Sequence, residues 1–242
     1  MEGRFEDIFS TLRPELTAYL CRLVVRPHVA EDLAQTAFMR LIESGPVAPV
    51  GPNNMRAWLF RVATNLAIDE LRRHSNWRES MFLDLREAAE SNPAFVAQSE
   101  ALIGTPETKM VAREHLAACF ACTLRNLPEQ KAAVLLLKEV HGFALAEIAD
   151  LLGATEAQAK NWLQEARAFM RARYDQTCAL MTKQGVCYQC VELADFFHSG
   201  EGNPISGASD HLDARLDVLK DLRSRPPGKW HSVLLELVDD LG

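Results

Sequence analysis

His115, Cys119 and Cys122 stand at spacings of four and three residues in the stretch EHLAACFAC. On a helix those positions share one face, so an imidazole and two thiols would point the same way and offer three of the four ligands a tetrahedral zinc takes. Cys178, Cys187 and Cys190 form a second cluster, with His198 beyond it. Three arrangements compete: a joint site of His115, Cys119 and Cys122 with Cys187 or Cys190; a four-cysteine site from the two CxxC pairs; and a tail-only site from Cys178, Cys187, Cys190 and His198. Zinc is favoured, although thiolate-rich sites also accept iron–sulfur clusters and copper. The bland alternative makes Cys119 a small core residue, Cys122 a surface thiol and the tail pair incidental.

A second group of residues is suited to recognition. Phe143 to Arg171 reads as a short apolar helix, a glycine turn and a longer helix, the outline of a helix-turn-helix. Thr155, Gln158, Lys160, Asn161, Gln164 and Arg167 would supply donors and positive charge to bases and phosphates, with Leu163 and Phe169 turned to the core. A plain helical hairpin with a solvated face is the alternative. Asn54 to Arg78 combines five arginines with two tryptophans and only two acids, the mixture expected where single-stranded nucleic acid is held. Ala30 to Leu41 is amphipathic, with Leu33, Ala37 and Leu41 for the core and Asp32, Gln35 and Arg40 on another face. No Ser/His/Asp set, phosphate loop or carboxylate pair is present, so the expectation is binding without catalysis. The βαβ setting that would make Cys187-x2-Cys190 a thioredoxin-like motif is missing as well.

The elements that must position these residues are helices. Leu, Val, Ala and Phe recur every three or four residues and no β-branched alternation is sustained, which predicts an all-α chain. Helices are expected at Phe5–Val25 with a break at Pro14, Val29–Glu43, Asn54–Arg73, Glu107–Arg125, Pro128–His141, Leu145–Leu152, Thr155–Tyr174, Asp210–Arg223 and Trp230–Leu241. The domain reading is 1–78, an acidic linker at 79–106, a helix-turn-helix domain at 107–175, and an acidic cysteine-containing extension at 176–242. The net charge of −7 argues against nucleic acid at first sight. Its distribution does not: Lys and Arg balance Asp and Glu at 10 against 10 over residues 1–80 and 8 against 8 over 110–175, while the tail has 6 against 10. No apolar run nears the roughly 18 residues that would span a bilayer, and the N-terminus lacks a secretory pattern, so a cytoplasmic protein with no membrane partner is expected.

Taken together, AEDLAQTAFMRL, RAWLFRVATNLAIDELRR and LPEQKAAVLLLKEVHGFALAEIADLLGATEAQAKNWLQEAR resemble the extracytoplasmic-function (ECF) class of bacterial RNA polymerase sigma factors. The resemblance covers about residues 5–174, and three motifs in order are more specific than any one. It implies that core RNA polymerase and promoter DNA are the partners. Asp32, Gln35 and Phe38 would lie on or near the face docking the β′ clamp helices. Asn65 would sit beside a base flipped from the minus-ten element, flanked by Asp69, Arg72 and Arg73, and the helix from Thr155 would read the minus-thirty-five element. Trp162 and Glu165 depart from the family's basic pattern in that helix, which lowers the expected intrinsic DNA affinity. His-x3-Cys-x2-Cys is similar to the signature of zinc-binding anti-sigma factors. The acidic extension is therefore expected either to inhibit from within, in place of a separate anti-sigma factor, or to serve as a stabilising appendage. An anti-sigma-like or redox- and metal-sensing interaction protein on a sigma scaffold is the alternative function.

Overall fold

The computed structural model describes residues 2–44, 52–73, 108–177 and 211–228, single positions between 84 and 101, and Leu235. Its elements are α1 (Glu2–Val24), α2 (Pro27–Glu43), α3 (Pro52–Arg73), α4 (Thr108–Leu124), α5 (Glu129–Leu135) running into a π-helical turn (Leu136–Val140), α6 (Leu145–Leu152), α7 (Glu156–Thr177) and α8 (His211–Asp221). Among the described residues there is no strand, and the fold is all-α. The expected linker and the cysteine cluster of the tail lie largely or wholly outside the described residues. So does the expected helix Trp230–Leu241, except for Leu235, which is buried.

In the first helical unit every residue from Glu15 to the end of α1 is buried, against α2 and α3 and, across the seam, against α4. Tyr19, Leu20 and Leu23 meet Phe38 and Leu41 of α2 and Leu59, Phe60 and Ala63 of α3 in one apolar cluster. Pro14 does not break α1, contrary to the expectation. A proline removes one backbone hydrogen bond and crowds the preceding turn, but Ser10 and Pro14 are exposed, so water can satisfy the carbonyl it frees. The burial that begins at the next residue then holds the helix together. The chain turns into α2 through Val25, buried with a left-handed φ of 60°, and Pro27 opens the new helix with its φ already set.

Local sequence chemistry builds the second unit. The amide of Ala144 donates to Glu147 Oε2 (2.7 Å) at the start of α6. Gly153 ends that helix at φ 62°, where a side chain would be strained even though open space surrounds it. Thr155 and Gln158 then form a reciprocal capping box. The Gln158 amide donates to Thr155 Oγ1 (3.2 Å) and the Thr155 amide to Gln158 Oε1 (3.0 Å). Where a single helix was expected from Pro128 to His141, the α-helix gives way at Leu136 to a π-turn ending at Val140. Gly142 follows at φ 73°, sending His141 and Phe143 toward the first unit.

The two units share a core. α3 packs on α6, α1 on α4, and the hydrophobic cluster runs continuously through both. α8 lies over α4, the π-turn and α7.

Candidate nucleic-acid interface

Three exposed helix faces and one buried seam organise the surface. On α2, Asp32, Gln35, Met39 and Ile42 follow helical spacing and are all exposed, Met39 at 58% and Ile42 at 60%. Met39 and Ile42 thus lie one turn apart and open to solvent among polar neighbours. Neither Met39 nor Ile42 stood out in the sequence, since an apolar residue in an amphipathic helix reads as core. Phe38 is the reverse case. It is 4% exposed and packs edge-on against Phe9 with ring centroids 4.4 Å apart, so it supports this face from beneath and does not form part of it.

On α3, Arg61, Asn65, Asp69 and Arg72 form one exposed stripe, and Arg73 lies beside it. Asn65, Asp69, Arg72 and Arg73 are thus all accessible, and Arg61 extends the stripe by one turn. Arg56 does not belong to it. Its guanidinium binds Glu15 (2.7 Å) and the His141 carbonyl (2.8 Å) and stacks over Phe143, its central carbon 4.2 Å from the ring centroid. Trp58 is partly buried against the core. Arg78 and Trp77 lie outside the described residues.

At the start of α7, Thr155, Gln158, Lys160, Asn161 and Gln164 are exposed. Thr155 and Gln158 cap the helix through their side chains, so Lys160, Asn161 and Gln164 are the groups whose side chains are left to reach outward. Arg167 is not among them: it binds Glu139 of the π-turn (2.6 Å) and Asp213 of α8, and these carboxylates raise its pKa although burial opposes them. The departures from the family pattern now have partners. Glu165 is paired with Lys131 of α5 (2.6 Å), and Trp162 is packed against the core.

The seam between the units is built on His141, 5% exposed. Its Nδ1 lies 3.0 Å from Glu15 Oε1, which makes Nδ1 the protonated nitrogen, and its ring contacts Tyr19 and Phe60 at 5.3 and 5.2 Å. Burial alone would raise the Glu15 carboxyl. The hydrogen bonds from His141 and Arg56, with the Arg56 charge, outweigh it and bring the carboxyl down to about 2. Burial lowers the His141 pKa and keeps the ring neutral. No sequence signal announced this seam, because its members are spread from residue 15 to residue 141.

The candidate metal ligands are less convergent. His115 and Cys122 are buried and Cys119 is half-buried on α4. Among the described residues, no three His, Cys, Asp or Glu side chains come together to hold a metal. The helical triplet by itself does not fit a three-ligand zinc site. Cys178, Cys187, Cys190 and His198 lie outside the described residues. Cys21 is a packing residue, its thiol pushed up to about 12 by burial.

Two exposed polar stripes, on α3 and α7, and a third exposed face on α2 thus lie on the two helical units. A family model described as Sigma-70 region 2 matches residues 8–77, covering α1 to α3, and one described as Sigma-70, region 4, matches residues 117–170. The ECF RNA polymerase sigma factor SigW of Bacillus subtilis is 27% identical over 170 residues, 70% of this chain and 88% of that protein. The ECF sigma factor SigG of Mycobacterium tuberculosis is 28% identical over 178 residues, 69% of this chain but only 47% of the relative. SigX of Bacillus subtilis, also an ECF sigma factor, is 25% identical over 167 residues, 66% of this chain and 78% of that protein. The chain belongs to the ECF family of RNA polymerase sigma factors, whose members are initiation factors and not enzymes. α8 lies beyond both matched regions. No described helix is long and apolar enough to cross a membrane.

Proposed function

We propose that this chain is an alternative sigma factor, acting in the cytoplasm, that docks core RNA polymerase at the β′ clamp helices and directs initiation at its own promoters. The observation that carries this reading is the placement of Asp32, Gln35, Met39 and Ile42 on one open face of α2, within the unit that also carries the Arg61–Asn65–Asp69–Arg72 stripe. The α2 face binds the clamp. The α3 stripe flanks the opened minus-ten strand, and Lys160, Asn161 and Gln164 read the minus-thirty-five element. The test is transcription by purified core polymerase and full chain from promoters selected out of a genomic library. Discrete start sites are expected, and Met39→Ser with Ile42→Ser should abolish them while leaving the melting temperature unchanged. Absence of start sites above core alone would overturn the reading.

The cysteine-bearing extension adds a separate gate: Cys178, Cys187 or Cys190 supplies the donors that His115, Cys119 and Cys122 lack for zinc. The support is that α8, from the same extension, docks on α4, where Leu116 packs with Val218 and Leu222. Elemental analysis should find one zinc per chain, lost in both Cys119→Ser and Cys187→Ser. A zinc-free wild type purified anaerobically would refute the gate and leave the sigma reading intact.

A further inference from the structure

α8 is seated on the second unit, and the turn that follows it is gripped by a buried arginine of the first. Leu212, Leu216, Val218 and Leu219 of the helix that lies over α4, the π-turn and α7, and Leu222 just after it, are at most 5% exposed. Asp213 accepts from Arg167 and lies 3.8 Å from Arg171, both on α7, and Asp221 accepts from Arg113 of α4 (2.6 Å). The turn after α8 reaches the other unit. Arg22 of α1, 5% exposed, donates one amino group to the carbonyls of Leu222 (2.6 Å) and Arg225 (3.2 Å), while its other side-chain nitrogens are buried without a hydrogen bond. Burial drops its pKa to about 10, so this charge is poorly solvated and depends on the extension for its acceptors.

The state that α8 secures cannot span a promoter. Elements named for positions minus ten and minus thirty-five lie about 25 base pairs apart, which at roughly 3.4 Å per pair is on the order of 85 Å of duplex. α3 packs directly on α6, and α6 on α7. A helix the length of α3 or α7 measures only about 33 Å at 1.5 Å per residue. The reading faces must therefore move apart before both elements are engaged, and the Glu15–His141–Arg56 seam must part with them.

We propose that α8 is an intramolecular latch. It holds the two sigma units closed, with Asp213 occupying Arg167 and Arg171 of the reading helix in place of DNA phosphates, and engagement of polymerase requires its release. The latch rests on the sigma reading for its consequence but not for its geometry, so the two can fail separately. The test compares the full-length chain with Asp213→Asn/Asp221→Asn, whose changes are on exposed acids, and with Leu216→Glu, which attacks the buried face. Small-angle scattering should show a larger radius of gyration in both variants. Affinity for core polymerase should rise about threefold to tenfold in the acid variant, as expected from losing the partly exposed ion pairs of Asp213 with Arg167 and Arg171 and of Asp221 with Arg113, and by more in Leu216→Glu. An unchanged radius in the acid variant with wild-type polymerase affinity would overturn the latch, whatever becomes of Leu216→Glu. Expansion without any core binding by wild type or variants would uphold the closure and sink the sigma reading. Expansion with core binding unaltered from wild type would show that closure does not gate polymerase, and the latch would fall.

Discussion

Glu15 holds a histidine and an arginine at once, and both lead to the other unit: the ring of His141, and Arg56 with its second bond on the His141 carbonyl. A carboxyl with a folded value near 2 and an ordinary value of 4.5 contributes stability above pH 4.5 and loses it as pH falls toward 2. That difference corresponds to about 3 kcal/mol. His141 adds to the same trend at higher pH. Its pKa is lowered by burial, so the folded form resists a proton that the unfolded chain accepts, and stability drains as pH drops below 6.5. The melting temperature should thus fall continuously from pH 6.5 to 3. Glu15→Gln should lower it at pH 7 and flatten the segment below pH 4.5. A variant parallel to wild type across that segment would remove Glu15 from the seam's energetics.

At the scale of the element, Pro14 makes a sharp prediction. It lies inside α1 with its ring exposed, so Pro14→Ala restores a backbone bond and gives up no packing. The gain should be about 1–3 kcal/mol, read as a higher melting temperature. An unchanged or lower value would mean that the proline shapes the helix for a purpose its contacts do not reveal. The same helix shows what sequence pattern can and cannot reveal. The α6–Gly153–α7 motif was legible because glycine turn, capping threonine and apolar spacing all act within a few residues. Pro14 was misleading because the burial that overrides it comes from helices 20 to 50 residues downstream. The engagement of Phe38 and Arg167 was illegible for the same reason: spacing placed each on a helix, but Phe9, Glu139 and Asp213, remote in sequence, decide what each touches in this closed state. Arg56 counted as one of five nucleic-acid arginines until the carbonyl of residue 141 claimed it.

For the whole molecule, closure sets how much positive charge the reading helix can show to DNA. In the closed state Arg167 is engaged by Glu139 and Asp213, and Arg171 lies close to Asp213. Lys160 is then the exposed cation near the start of α7, and the chain carries a net charge of −7. Each phosphate neutralised steepens the dependence of log affinity on log salt by about 0.9. The free wild-type chain should therefore bind a minus-thirty-five duplex weakly, with a slope near −1, and Lys160→Ala should bring it close to zero. Asp213→Asn/Asp221→Asn should steepen the slope by about 1 to 2, because Arg171 and part of the Arg167 guanidinium become available to the backbone. Fluorescence anisotropy from low to moderate salt measures both quantities. Equal slopes for wild type and the acid variant would show that Asp213 does not compete with phosphate for these arginines. A steeper slope would couple promoter contact to opening, so that the extension weakens DNA binding through the same residues by which it holds the units together.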